Sequence, residues 1–95
     1  MYKVIFVDDE PFALEGIKLM VEWEELGFEI VEMCENGEEA LVCIEACKPD
    51  LVVTDIRMPV IDGLELIDRV QKAGNDPVFI ILSGYNDFEY ARSAL

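Results

Sequence analysis

Asp50-Leu51-Val52-Val53-Thr54-Asp55-Ile56-Arg57-Met58-Pro59-Val60-Ile61-Asp62-Gly63 is the stretch that decides the fold. Asp50 to Thr54 reads as a buried strand, short, apolar and β-branched. At Asp55 the run stops and a loop containing Pro59 and Gly63 begins. A second apolar run, Val4-Ile5-Phe6-Val7, ends the same way, on Asp8, Asp9 and Glu10. In a parallel α/β sheet, neighbouring strands release their carboxyl ends at one edge, and ligands bind there. Asp8, Asp9 and Asp55 are therefore expected to meet in one pocket. Three carboxylates repel one another unless a cation joins them, and a hard divalent cation with oxygen ligands is the natural partner.

The rest of the chain alternates. Strand-like runs fall at about 2–7, 28–33, 50–54 and 77–82, with helical patterns between them. Ala13, Leu14, Ile17, Met20 and Val21 share one helical stripe, with Pro11 in the first turn, where a missing N–H costs nothing. Ala40, Cys43, Ile44 and Cys47 share another, and Asn36 and Glu39 have the spacing of a capping box. The third pattern starts at Asp62 and buries Leu66, Ile67 and Val70. The fourth starts at Asn86 and carries Phe88, Ala91 and Leu95. Trp23 and Phe28 are placed against the end of the first helix. The order βαβαβαβα implies an α/β fold with a parallel sheet and right-handed crossovers.

Composition limits the partners. Ninety-five residues make one domain with a modest core. A net charge of −14 argues against direct contact with nucleic acid or with an anionic membrane surface. No apolar run approaches a membrane span and no signal peptide is visible after Met1, which fits a cytoplasmic location. Cys34, Cys43 and Cys47, odd in number and without paired spacing, suit a reducing compartment and read as small core residues. With no histidine, His-based catalysis and His-ligated zinc are excluded within the chain.

These residues together resemble the receiver domain of a two-component response regulator. The resemblance rests on Asp8-Asp9, on Asp55 with Met58-Pro59 and Asp62-Gly63, on Pro49-Asp50-Leu51, and on Ser83 ending the fourth strand. It covers residues 1–95. Leu82-Ser83-Gly84-Tyr85-Asn86-Asp87-Phe88-Glu89-Tyr90-Ala91 and Trp23-Glu24-Glu25-Leu26-Gly27 are similar to receivers fused to a C-terminal AraC-type helix-turn-helix DNA-binding domain. The resemblance implies a flavodoxin-like, doubly wound parallel sheet of order 2-1-3-4-5. It implies a phosphoacceptor, Asp55, that takes a phosphoryl group from a sensor histidine kinase and switches an output domain involved in transcription regulation. Asp8, Asp9, Asp55 and the backbone carbonyl of Arg57 would hold Mg²⁺. Ser83 would hydrogen-bond a phosphoryl oxygen, Gly84 would leave room beside it, and Tyr85 would sit where the family tunes dephosphorylation. Met58, Pro59 and Gly63 would shape the loop. Such a domain is a switch rather than a turnover enzyme.

One departure stands out. The family continues into a fifth strand bearing a Lys, and then a fifth helix, whereas this chain stops at Leu95. Lys3, Lys18, Lys48 and Lys72 fall on the first strand or on helices or their ends and cannot take that role. The expectation is an incomplete receiver with an apolar strand edge at 78–82. That edge would invite pairing with a second copy, and labelling of Asp55 in the short chain would be slow or absent. A pseudo-receiver without phosphorylation is the competing expectation. A flavin carrier on this fold would need a hydroxyl-rich loop where Asp8-Asp9-Glu10 stands. An aspartyl phosphatase would need Asp-x-Asp after the first strand.

Overall fold

The computed structural model describes residues 1–82 of the chain. The expectations placed on Ser83, Gly84, Tyr85, Phe88, Tyr90 and the fourth helix lie outside the described residues. Four strands, β1 (Tyr2–Val7), β2 (Phe28–Cys34), β3 (Leu51–Asp55) and β4 (Val78–Leu82), alternate with α1 (Pro11–Met20), α2 (Gly37–Cys47) and α3 (Gly63–Lys72). All pairs are parallel and the sheet order is β2-β1-β3-β4. This is the expected doubly wound topology as far as the fourth strand.

The apolar runs are continuous rather than alternating because the central strands are covered on both faces. Val4 and Phe6 of β1 and Leu51 and Val53 of β3 pack with Leu14, Ile17 and Trp23 on the α1 side. Ile5, Val7 and Val52 face the other way and pack with Ala40, Ile44, Leu66 and Val70 of α2 and α3. Both flanking helices on that side are capped as their sequences ask. The Asn36 side chain accepts the Glu39 N–H at 2.7 Å, and the Asp62 side chain accepts the Glu65 N–H at 2.8 Å. Each cap satisfies a donor that the first helical turn leaves without a partner.

Ile67, expected in the core with Leu66 and Val70, is only half-buried, and two further details depart from the sequence pattern. Met20 does not lie on the buried stripe of α1; it is 63% exposed, and only Leu14 and Ile17 are buried on that helix. The cause is local. The backbone turns extended at Val21 and Trp23 folds back, its indole N–H donating to the Ile17 carbonyl at 3.0 Å. The ring then fills the space that another turn of helix would cover, stacked obliquely on Phe6 with centroids 5.0 Å apart and edge-on to Phe28. The second detail is a bulge. Val4 pairs with Ile30 but Ile5 pairs with Glu32, so Val31 is an extra residue on β2. β2 is an end strand of the sheet, and bulges are frequent at sheet edges.

On the α1 side, Tyr2, Trp23, Leu26, Phe28, Val78 and Ile80 line an apolar groove. Val78 and Ile80 are 66% and 44% exposed.

The Trp23–Ile17 bond closes a buried carbonyl that α1 cannot satisfy itself. Trp23→Phe keeps an aromatic ring but removes the donor. It should lower stability by about 1–3 kcal/mol, read as a shift of the urea midpoint followed by circular dichroism.

Candidate functional site

The register of the sheet assembles the site. Val7 is opposite Thr54 on one side and Cys34 on the other, so β1, β2 and β3 end in one row. The next residues are Asp8, just past the end of β1, and Asp55, the last residue of β3, which therefore stand side by side, and Asp9 follows at the same edge. One carboxylate oxygen from each of Asp8, Asp9 and Asp55 lies within 4.8 Å of the others. It is the one such group of acidic, Cys or His ligands among the described residues. All three residues expected from the sequence are thus brought together. Arg57 stands two residues beyond Asp55, exposed on the loop leading to α3, and Asp62 caps that helix.

Two of the three carboxylates, those of Asp8 and Asp55, are held by the backbone. Asp8 donates its N–H to the Cys34 carbonyl at 3.0 Å and accepts the Glu10 N–H on Oδ1 at 3.0 Å. Asp55 Oδ1 accepts the Ile56 N–H at 2.8 Å. The Asp55 carbonyl accepts the hydroxyl of Thr54, a fully buried residue, at 2.9 Å. Cys34 and Thr54 are supports that sequence reasoning passed over as an ordinary core cysteine and a strand end. No local pattern marks them, since their roles depend on strand register.

The loop between Asp55 and Gly63 is anchored at several points. Ile56, Met58 and Ile61 are buried, as the structural role expected of Met58 requires. Gly63 donates its N–H to the Ile56 carbonyl at 2.8 Å. Gly37, the first residue of α2, packs flat on Ile61: a Cβ added there would lie 2.7 Å from Ile61 Cβ. Between these anchors Val60 has φ +69°, a left-handed conformation that is unfavourable for a β-branched residue. Such strain costs on the order of 1–3 kcal/mol and is held by surrounding contacts.

Burial, at 7% exposure, is the main cause that raises the Asp8 carboxyl above its ordinary value. The Glu10 N–H opposes that shift, and the negative charges of Asp55 and Asp9 add to it. The cluster thus gathers three neighbouring carboxylates. Its donor set is oxygen only and suits a hard cation. Ligands bound at about 2.1 Å to one Mg²⁺ sit roughly 3–4 Å apart, so the spacing needs little closure, or one bridging water. Burial also drives the Cys34 thiol well above its ordinary value, with the neighbouring Cys43 thiol adding to the effect. That keeps Cys34 protonated and inert as a core residue.

The sequence profile of the response regulator receiver domain matches residues 4–95. Among curated relatives, the chain is 43% identical over its full 95 residues to the transcriptional regulatory protein YesN of Bacillus subtilis, covering 26% of that protein. It is 40% identical, again over its full length, to the transcriptional regulatory protein HptR of Staphylococcus aureus, covering 37% of it. The chain thus spans between a quarter and two fifths of the length of these relatives. Among solved structures it resembles the REC domain of AraT, a response regulator from Geobacillus stearothermophilus. The TM-score is 0.88 and the identity 35%, over 98% of this chain and 72% of that one. It also resembles a two component transcriptional regulator AraC from Clostridium phytofermentans, with TM-score 0.89 and 33% identity over 100% of this chain and 74% of that one.

The raised Asp8 pKa fixes the sign of a pH effect. A carboxyl whose folded-state pKa lies above its unfolded value favours the fold at low pH. That contribution is lost as pH rises through the folded pKa. Asp8→Asn keeps the oxygen that accepts the Glu10 N–H but cannot ionise. In a chelator at neutral pH it should melt higher than wild type. The advantage should shrink as the solution is acidified and the wild-type carboxyl takes up a proton. Thermal melts across pH check this.

Proposed function

The chain belongs to the response regulator receiver domain family, and on that premise we propose that Asp55 is its phosphoacceptor and that Asp8, Asp9, Asp55 and the Arg57 backbone carbonyl form a Mg²⁺ site. The observation that carries this reading is the convergence of three carboxylates at the strand ends, with Asp55 fixed through its neighbouring amide.

In the proposed reaction a carboxylate oxygen of Asp55 attacks the phosphorus of a phosphohistidine on a sensor kinase. The O–P bond forms and the P–N bond breaks, leaving an acyl phosphate and an imidazole that takes up a proton. Mg²⁺, when bound, offsets the charge of the transferring phosphoryl group, which the acidic edge would otherwise repel. Asp8 and Asp9 supply the ligands, and the Ile56 N–H keeps the Asp55 carboxylate in one rotamer. Ser83 is assigned the hydrogen bond to a phosphoryl oxygen. Leu82, the residue before it in sequence, pairs with Asp55 in the sheet. Residues 1–95 are read as one receiver unit that acts as a switch and not as a turnover enzyme. No helix among the described residues is long and apolar enough to cross a membrane, and we place the domain in the cytoplasm. The output is assigned to an AraC-type DNA-binding domain of the complete polypeptide, as the resemblance to receivers of transcriptional regulators supports. The domain itself, at −14, makes no contact with DNA.

In the complete polypeptide with Mg²⁺, acetyl phosphate should label Asp55 alone. Asp55→Asn should abolish labelling while leaving the circular dichroism spectrum intact, and Asp9→Asn should weaken Mg²⁺ binding, itself in the millimolar range, by about tenfold or more. Ser83→Ala should still be labelled but respond less downstream. Phosphate found on Asp9 or Asp62 in the Asp55→Asn protein, by mass spectrometry, would sink the assignment.

A further inference from the structure

Gly63 touches the proposed phosphoacceptor in a way its place on a helix does not require. It is the first residue of α3, and a Cβ built on it would lie 2.5 Å from the Asp55 carbonyl oxygen, 3.0 Å from Ile56 Cα and 3.3 Å from the Asp55 carbonyl carbon. All three atoms are backbone, so no rotamer change could relieve the clash. The same peptide unit, between Asp55 and Ile56, carries the N–H that holds Asp55 Oδ1 at 2.8 Å. The Gly63 N–H in turn donates to the next carbonyl, that of Ile56, at 2.8 Å. The start of α3 is thus pressed against the peptide whose amide holds Asp55 Oδ1.

We propose that Gly63 is a positioning residue for Asp55: the missing side chain lets α3 seat against the Asp55–Ile56 peptide, and that seating holds the carboxylate at the distance from Asp8 and Asp9 that the metal and the phosphoryl group require. This rests on the phosphoacceptor reading above and extends it to a residue that touches neither ligand nor phosphorus. An added methyl must push either the helix or the peptide away by several tenths of an ångström. Moving the peptide carries the Ile56 N–H, and with it Asp55 Oδ1, out of register with a cluster only 4.8 Å across. Moving the helix strains the Gly63–Ile56 bond and unseats Leu66, which is fully buried.

Displacement of Asp55 in a folded protein is what separates a positioning role from a packing one. Leu66→Ala is the matched control, because it weakens the core under the same helix but adds nothing against Asp55. Both variants and wild type, as complete polypeptides, are titrated with Mg²⁺ alone by amide chemical shifts. They are then labelled with acetyl phosphate, with rates taken per folded molecule. Gly63→Ala should label on the order of tenfold slower or more, as ångström-scale misplacement does elsewhere, and should bind Mg²⁺ several-fold more weakly. Leu66→Ala should lose stability but keep both properties within about twofold.

Gly63→Ala with wild-type Mg²⁺ affinity and labelling, or with losses no larger than those of Leu66→Ala, would overturn the proposal. If Gly63→Ala unfolds, the measurements are repeated in trimethylamine N-oxide, which favours compact states. Failure to fold even there makes Gly63 a folding requirement and overturns the proposal too. A wild-type protein that binds Mg²⁺ but is not labelled at Asp55 defeats the phosphoacceptor reading, while the Mg²⁺ titration still judges Gly63. A wild type that does neither defeats both.

Discussion

The parallel pairing of β1 with β3 is the constraint on which the rest of this molecule depends. Because Val7 is opposite Thr54, the residues that follow, Asp8 and Asp55, cannot avoid one another. A shift of one residue would turn Val52 and Val53 to opposite faces and break both halves of the core. The apolar packing that stabilises the sheet therefore also enforces a cluster of like charges at its edge. Folding and the site are not separable here, since the burial that drives the first raises the electrostatic cost of the second.

Backbone donors contain part of that cost. Asp8 accepts the Glu10 amide and Asp55 the Ile56 amide. Amides held by the fold lose little freedom when they bind a carboxylate, so they hold it in place as well as lowering its charge penalty. What remains is a site with oxygen ligands, one buried acid, and an overall negative field that draws small cations.

The loop that follows Asp55 is built on contacts that leave little slack. Met58 and Ile61 are sunk in the core, Gly37 lies flat on Ile61, and Gly63 lies flat on Asp55. Val60 carries the backbone strain that these fixed points impose and is itself 85% exposed. These fixed points set the path of the chain between Asp55 and α3.

Much of this was legible in the chain. The apolar runs ending in Asp8-Asp9 and in Asp55 announced parallel strands with a shared acidic edge, because strands covered on both faces must be apolar throughout. Asn36 and Asp62 marked helix starts because a side-chain acceptor is needed where the helix has none. The same sequence did not show that Met20 would face solvent, since that followed from Trp23 folding back to take the Ile17 carbonyl. Nor did it show the extra residue at Val31, or that Thr54, Cys34 and Gly63 would brace the carboxylates. Periodicity and caps are written in neighbouring residues, and so can be read along the chain. Which backbone atom supports which carboxylate depends on strand register and on how closely a helix can approach a loop, and those distances exist only once the chain has folded.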